Sequence, residues 1–184
     1  MEAWNERNHG SVAANHSQRA VAFSRQLRQA HQHLRDQLTR IREELGRTEH
    51  AETGLPVHCL AFCSALTRHH CGEDDGMFKE LLDARPDLAP AIQNLIDDHA
   101  AIATILLQVR TLATRVKTTP ADDLPRLRRE LDGLAAIAES HFGYEERAIG
   151  AALDNGVPDT GWSRPVFKPA EPRTAQNMSG CRHV

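Results

Sequence analysis

Apolar residues recur three and four positions apart in four stretches of this 184-residue chain, and each stretch carries one histidine on its apolar stripe. Such spacing is typical of amphipathic helices that bury one face. The midpoints between successive histidines fall at positions 50, 84 and 120, in segments rich in glycine, proline and polar residues. Residues equidistant from a turn lie level with each other in an antiparallel bundle, so the four imidazoles should share one layer of the core. They are His31, His69, His99 and His141.

The same pattern predicts the fold class and the boundaries. We predict an all-α protein, an up-down-up-down four-helix bundle over residues 18–154, because short connections between helices favour antiparallel neighbours. Residues 1–17 are polar and are predicted to form an N-terminal arm. Residues 155–184 contain several prolines and almost no periodicity, which predicts an extended or disordered C-terminal arm.

Charge and hydropathy exclude several classes of function. The formal net charge of −3 gives no electrostatic basis for binding nucleic acid or an anionic membrane. No apolar run approaches the roughly 18 residues that span a bilayer, and the polar start does not resemble a signal peptide, so we expect a cytoplasmic protein. The four cysteines lack the pattern of a small secreted domain. Whether the chain forms a homodimer stays open.

Two of the four histidines are followed four residues later by a glutamate, and residues four apart share a helix face. These pairs are His69/Glu73 and His141/Glu145. Burying polar groups without partners costs on the order of a few kcal/mol each, so polar groups on apolar stripes need compensation. A metal ion provides it, and imidazole with carboxylate suits iron, manganese or zinc. We therefore predict a metal site, with room for two ions, whose six ligands are His31, His69, Glu73, His99, His141 and Glu145.

A second pair on the second helix, His70 and Asp74, is rotated by about 100° from the first. Either pair can supply ligands from this helix. The apolar stripe of the helix continues onto His69 and Glu73, which favours that pair. His70 and Asp74 then lie behind the ligands or on the surface. Asp74, Asp98 and Glu146 are candidates for orienting the histidines, because ligating histidines usually donate their other N–H to a carboxylate or carbonyl.

Other residues near these motifs have simpler interpretations. His58 lies too far along its helix to reach the same metals, and Cys59 and Cys63 are expected to pack as small apolar residues, with a redox pair as the alternative. Tyr144 is a weak catalytic candidate that can donate a hydrogen bond to a bound oxygen species. Whether His9 or His16 supplies a seventh ligand stays open.

The motifs resemble a known family. The segments RHHCGEDDGMF and ESHFGYEERAI, together with His31 and Asp98-His99, are similar to the hemerythrin-like (HHE cation-binding) family over residues 20–153. The resemblance implies a four-helix bundle that holds two non-haem iron ions, bridged by both carboxylates and in some states by an oxo group. It also implies a small diatomic or peroxide ligand. Ferritin-like bundles instead carry Glu-x-x-His on paired helices.

One departure from the oxygen carriers of that family concerns the third helix, where they place two histidines four residues apart. Here Leu95 and Ala103 stand four residues from His99, and neither can bind a metal. One imidazole fewer predicts an extra open iron position. Open positions favour reaction with O₂, H₂O₂ or NO over reversible oxygen storage. The alternatives are an iron-dependent oxygen or redox sensor, a di-iron oxidase or oxygenase acting on an organic substrate, and a bundle whose histidines only pack.

Overall fold

The computed structural model describes the backbone of residues 6–46, 54–115, 120–155 and 157–168, and the side chains of the same ranges except 6–22 and 120–122. This part of the chain is helical and contains no strand, which confirms the all-α class. The α-helices are α1 (Glu6–Gly46), α2 (Leu55–Gly72), α3 (Phe78–Ala84), α4 (Ala89–Arg115), α5 (Pro120–Leu153) and α6 (Ser163–Phe167). A π-helical turn, Glu73–Met77, joins α2 to α3, and a 3₁₀ turn, Pro86–Leu88, precedes α4.

Four long helices pack into a bundle. Helix α1 contacts α2 and α5, and α4 also contacts α2 and α5. Arg35 donates to Glu139 and Arg42 donates to Asp132, so residue numbers fall along α5 as they rise along α1. These two helices therefore run antiparallel.

The core consists of two apolar clusters. One is built around Leu34, Phe62 and Leu131, and the other around Leu27, Phe78 and Ile149. The histidine-bearing positions fall between them, as on α1, where Leu27 and Leu34 belong to different clusters. The buried polar layer is thus closed by hydrocarbon at both ends.

Both predicted arms contain regular structure where the chain is described. Helix α1 begins at Glu6, so the backbone of 6–17 continues the first helix; the side chains of His9 and His16 lie outside the described residues. Within residues 157–168, helix α6 folds back onto α1 and α2, and Val157, Trp162 and Val166 bury their side chains in the second apolar cluster. We call residues 157–168 the strap.

Within the described residues, no helix combines the length and apolar character needed to cross a bilayer.

Candidate metal centre

Seven buried side chains from four α-helices and the π-helical turn converge between the two apolar clusters, in two groups that can each hold a metal ion. Within each group the candidate ligand atoms all lie within 4.8 Å of one another. The first group is His31, His69, Glu73 and Glu145, and the second is His70, His99 and His141. All six residues predicted from the sequence are present, and His70 joins them.

The first group combines α1, α2, α5 and the π-helical turn. His31 Nε2 lies 3.1 Å from Glu145 Oε2, and His69 Nε2 lies 3.0 Å from Glu73 Oε1. The two imidazole rings meet edge to face, with centroids 5.0 Å apart. The nitrogen and oxygen atoms of this group therefore face a common centre.

In the second group, His70 lies against α4 and α5. Its ring stacks on His99 with centroids 4.0 Å apart and planes 7° from parallel. The Nε2 atoms of His99 and His141 are 3.1 Å apart. Three imidazoles from three helices thus meet within one buried pocket.

The two glutamates link the groups. Glu73 places Oε1 beside His69 and Oε2 3.5 Å from His99 Nε2. Glu145 Oε2 lies 3.1 Å from His31 Nε2 and 3.9 Å from His141 Nε2. Each carboxylate therefore reaches both groups, which is the arrangement that two cations sharing carboxylate ligands require.

Hydrogen bonds on the opposite ring nitrogen turn the Nε2 atoms inward. Nδ1 of His31, His99 and His141 donates to a carboxylate at 2.9, 2.7 and 3.3 Å. The acceptors are the three residues that the sequence suggested for this role, Glu146, Asp74 and Asp98. Such outer partners fix the tautomer and the ring orientation of ligating histidines.

His69 differs from these three histidines, because its Nδ1 donates to the backbone carbonyl of Val166 at 2.9 Å. A carbonyl oxygen only accepts, so Nδ1 must carry the proton. In a neutral imidazole the Nε2 atom of His69 is then unprotonated and available as a ligand.

Burial and mutual charge perturb the protonation of the layer. Burial, reinforced by the nearby His31, lowers the pKa of His69 to about 3, and burial with the neighbouring histidines holds the pKa of His70 well below its usual value. Burial and the adjacent Glu145 raise the pKa of Glu73 well above its usual value. These directions favour neutral His69, His70 and Glu73 when no cation is bound.

His31 and Glu145 behave differently because they contact each other. Burial lowers the pKa of His31, but the contacts with Glu145 and Glu146 outweigh it and the net pKa is raised. Burial raises the pKa of Glu145, but the contact with His31 and the other histidines bring it down to about 2. Without a cation, a proton on His31 is the main counter-charge for this carboxylate.

That proton leaves most of the layer uncompensated. Apart from their close approaches to one another, the Nε2 atoms of His31, His69 and His70 and all four carboxylate oxygens of Glu73 and Glu145 are buried without a hydrogen-bond partner. Folded proteins pair the large majority of such atoms. The candidate ligand atoms are imidazole nitrogens and carboxylate oxygens, a set that suits iron, manganese or zinc. The residues present therefore fit a buried metal centre.

His70 corrects one step of the sequence interpretation. The geometry does not support the expectation of one imidazole fewer, because His70 of the second helix is the third imidazole of the second group. The extra open iron position stays a prediction. Helix α2 packs between α1 and α4, so two adjacent stripes of its surface are buried, one ending at His69 and the other at His70. The signal was present in the sequence: Cys59, Cys63 and Leu66 form a second apolar stripe that ends at His70.

The remaining candidates lie outside the two groups. The Tyr144 hydroxyl accepts a hydrogen bond from the exposed Asn94 side chain at 3.4 Å, and half-exposed His58 pairs with Glu44 at 2.9 Å. Cys59 and Cys63 are free and buried, and burial raises the pKa of each to about 12. These two thiols therefore behave as small apolar groups.

Comparison with known proteins agrees with this geometry. No curated protein and no solved structure matches the chain significantly. The family model described as hemerythrin HHE cation binding domain matches residues 22–153, which include all seven side chains of the two groups. The chain therefore belongs to the hemerythrin HHE cation-binding family.

Proposed function

We propose that this protein binds two iron ions in the buried layer and uses them to react with a small oxidant such as O₂, H₂O₂ or NO. The observation that carries the proposal is the set of buried ring nitrogens and carboxylate oxygens that contact one another but have no hydrogen-bond partner outside the layer. They form two groups, and each of the two glutamates reaches both groups. A packing role for these side chains leaves the cost of burying them unexplained.

The two groups would differ in the number of protein ligands that they offer to an iron ion. Glu73 and Glu145, which each reach both groups, would contribute to holding both ions, and the second group would add three imidazoles whereas the first would add two. The first group, with His31 and His69, therefore offers fewer protein ligands and is the place where an external small ligand binds. Two bound ferrous ions would each supply one electron to the oxidant. The protein keeps bulk water out, since the layer is closed by apolar clusters at both ends.

The test is the metal content of the chain, measured by plasma mass spectrometry on protein expressed with iron and purified without a histidine tag. We expect close to two irons per chain in the wild type. His69→Ala and His141→Ala each remove a ligand from a different group and should each lower the iron content. His33→Ala is the matched control, because His33 is exposed and bonds to Gln37 on its own helix.

Two results would contradict the proposal. One is wild-type protein that binds one zinc ion or no metal after supply with iron. The other is a pair of variants, His69→Ala and His141→Ala, that bind two irons as well as the wild type. If two irons are found, adding H₂O₂, O₂ or NO to the anaerobically reduced protein then identifies the oxidant, because only a reactive partner oxidises the iron or changes its absorption spectrum.

A sensing function is the second candidate, and the hydrogen bond between His69 and the strap favours it, because the strap lies outside the bundle and touches a candidate ligand directly. An oxygenase acting on an organic substrate has less support. A cavity of about 610 Å³ lies between α1 and α2, but its described lining contains none of the seven side chains.

A further inference from the structure

The strap is held against the bundle at a point next to the candidate metal centre. Trp162 and Phe167 pack on Phe23 of α1, with ring centroids 5.0 and 5.9 Å from that of Phe23. Val166 is fully buried, and Trp162 is 4% exposed. A hydrogen bond within the strap stabilises its fold: Trp162 Nε1 donates to the Pro158 carbonyl at 2.8 Å.

Two glycines permit this close approach. A Cβ atom on Gly76 of the π-helical turn would lie 2.5 Å from Trp162 Cβ. A Cβ atom on Gly72 at the end of α2 would lie 3.1 Å from the backbone nitrogen of Val166. Any side chain at position 76 therefore forces the strap and the π-helical turn apart.

The approach brings a backbone carbonyl to a candidate ligand. His69 donates Nδ1–H to the Val166 carbonyl, 97 residues away in the sequence. His31, His99 and His141 each use a carboxylate on a bundle helix or on the π-helical turn for the same purpose. His69 is therefore the histidine of this set whose orientation depends on a segment outside the bundle.

We propose that Val166 is a positioning residue of the metal centre, and that docking of the strap is coupled to metal binding in the group of His31 and His69. With the strap docked, the Val166 carbonyl holds the proton on Nδ1 and aims Nε2 of His69 at the first group. With the strap displaced, His69 loses this partner and the first group binds metal more weakly. The second group, which has no contact of this kind, keeps its affinity. This inference rests on the proposed two-metal function.

The coupling is reciprocal, because two linked equilibria shift each other by the same factor. Loss of an outer partner of a ligating histidine typically costs 10–100-fold in metal affinity. Metal binding should therefore stabilise the docked strap by the same 10–100-fold. This coupling gives the chain a means of reporting the state of the metal centre at its surface.

The test uses the full chain and Co²⁺ as the probe. Two variants displace the strap: Gly76→Ala from the π-helical turn, which also carries Glu73 and Asp74, and Phe23→Ala from α1. Gly133→Ala is the matched control for the glycine change, because a Cβ atom there meets nothing within 4 Å. Calorimetric and absorption titrations should show two Co²⁺ ions per chain in the wild type and in Gly133→Ala. In Gly76→Ala one of the two affinities should fall by about 10–100-fold, with a change in the visible spectrum of that ion.

A double-mutant comparison assigns the affected group. In a His69→Ala background, Gly76→Ala should have no further effect, because the contact that it breaks is already absent. In a His99→Ala background, which disables the second group, its effect should persist in full. Phe23→Ala, which loosens the strap without touching the π-helical turn, should reproduce the weaker affinity.

Hydrogen exchange gives the reverse measurement. The amides of Val166 and Lys168, which bond within the strap, should exchange 10–100-fold more slowly when the wild type holds Co²⁺.

These experiments distinguish failure of the proposed function from failure of the coupling. Wild-type protein that binds no metal overturns the proposed function. Wild-type protein that binds two ions, with equal affinities in Gly76→Ala and unchanged strap exchange, overturns only the coupling.

Discussion

Replacing His70 with leucine should stabilise the metal-free protein while weakening the metal-bound one. His70 is buried and its Nε2 atom has no hydrogen-bond partner, and such an atom costs about 1–3 kcal/mol. Leucine removes this cost but loses the stacking on His99, which is worth about 0.5–1.5 kcal/mol. The net expectation is a gain of about 1 kcal/mol without metal, or about 2–4 °C in Tm for a chain of this size.

When metal is bound, His70→Leu should destabilise the protein instead of stabilising it. His70 supplies one of the three imidazoles of the second group, so the variant loses binding energy that stabilises the folded state. At a metal concentration 100-fold above Kd, one ion contributes about 2.7 kcal/mol to the free energy of unfolding. His70→Leu should therefore be less stable than the wild type in the presence of iron, although it is more stable in the presence of a chelator.

Urea denaturation followed by circular dichroism measures the change in the free energy of unfolding in both conditions, with chelator and with ferrous iron under anaerobic conditions. His33→Leu, at an exposed position outside both groups, should change neither curve by more than a few tenths of a kcal/mol. A variant that loses the same stability with and without metal would refute the reasoning, because His70 would then be a packing residue whose nitrogen costs nothing.

Two further predictions concern the surroundings of the centre. Asp74→Asn should weaken metal binding by about 10–100-fold in a metal titration, because Asp74 accepts the Nδ1 proton of His99, whereas Asp75→Asn, a change at the exposed neighbour, should leave it unchanged. Cys59 and Cys63 should resist iodoacetamide at pH 8 in the native state, because a pKa of about 12 leaves roughly one thiolate in 10,000; rapid alkylation without unfolding, detected by mass spectrometry, would contradict their buried position.

The sequence determined where the helices lie in the chain and at which level along the bundle the polar layer lies. Helical periodicity and the segments that interrupt it are local properties, and equal distances from the turns place His31, His69, His99 and His141 level in an antiparallel bundle. The spacing of four residues also identified both glutamates. These features could be predicted because helical periodicity is local and because short connections make successive helices run antiparallel.

The tertiary structure decided how the second helix is rotated and what touches it. His69 and His70 both face inward because α2 packs against α1 on one side and α4 on the other, and no local pattern records which helices will flank it. The contact from Val166 could not be predicted for a different reason. It uses a backbone carbonyl, which every residue possesses, and it joins positions 97 residues apart that only the packing of the strap brings together.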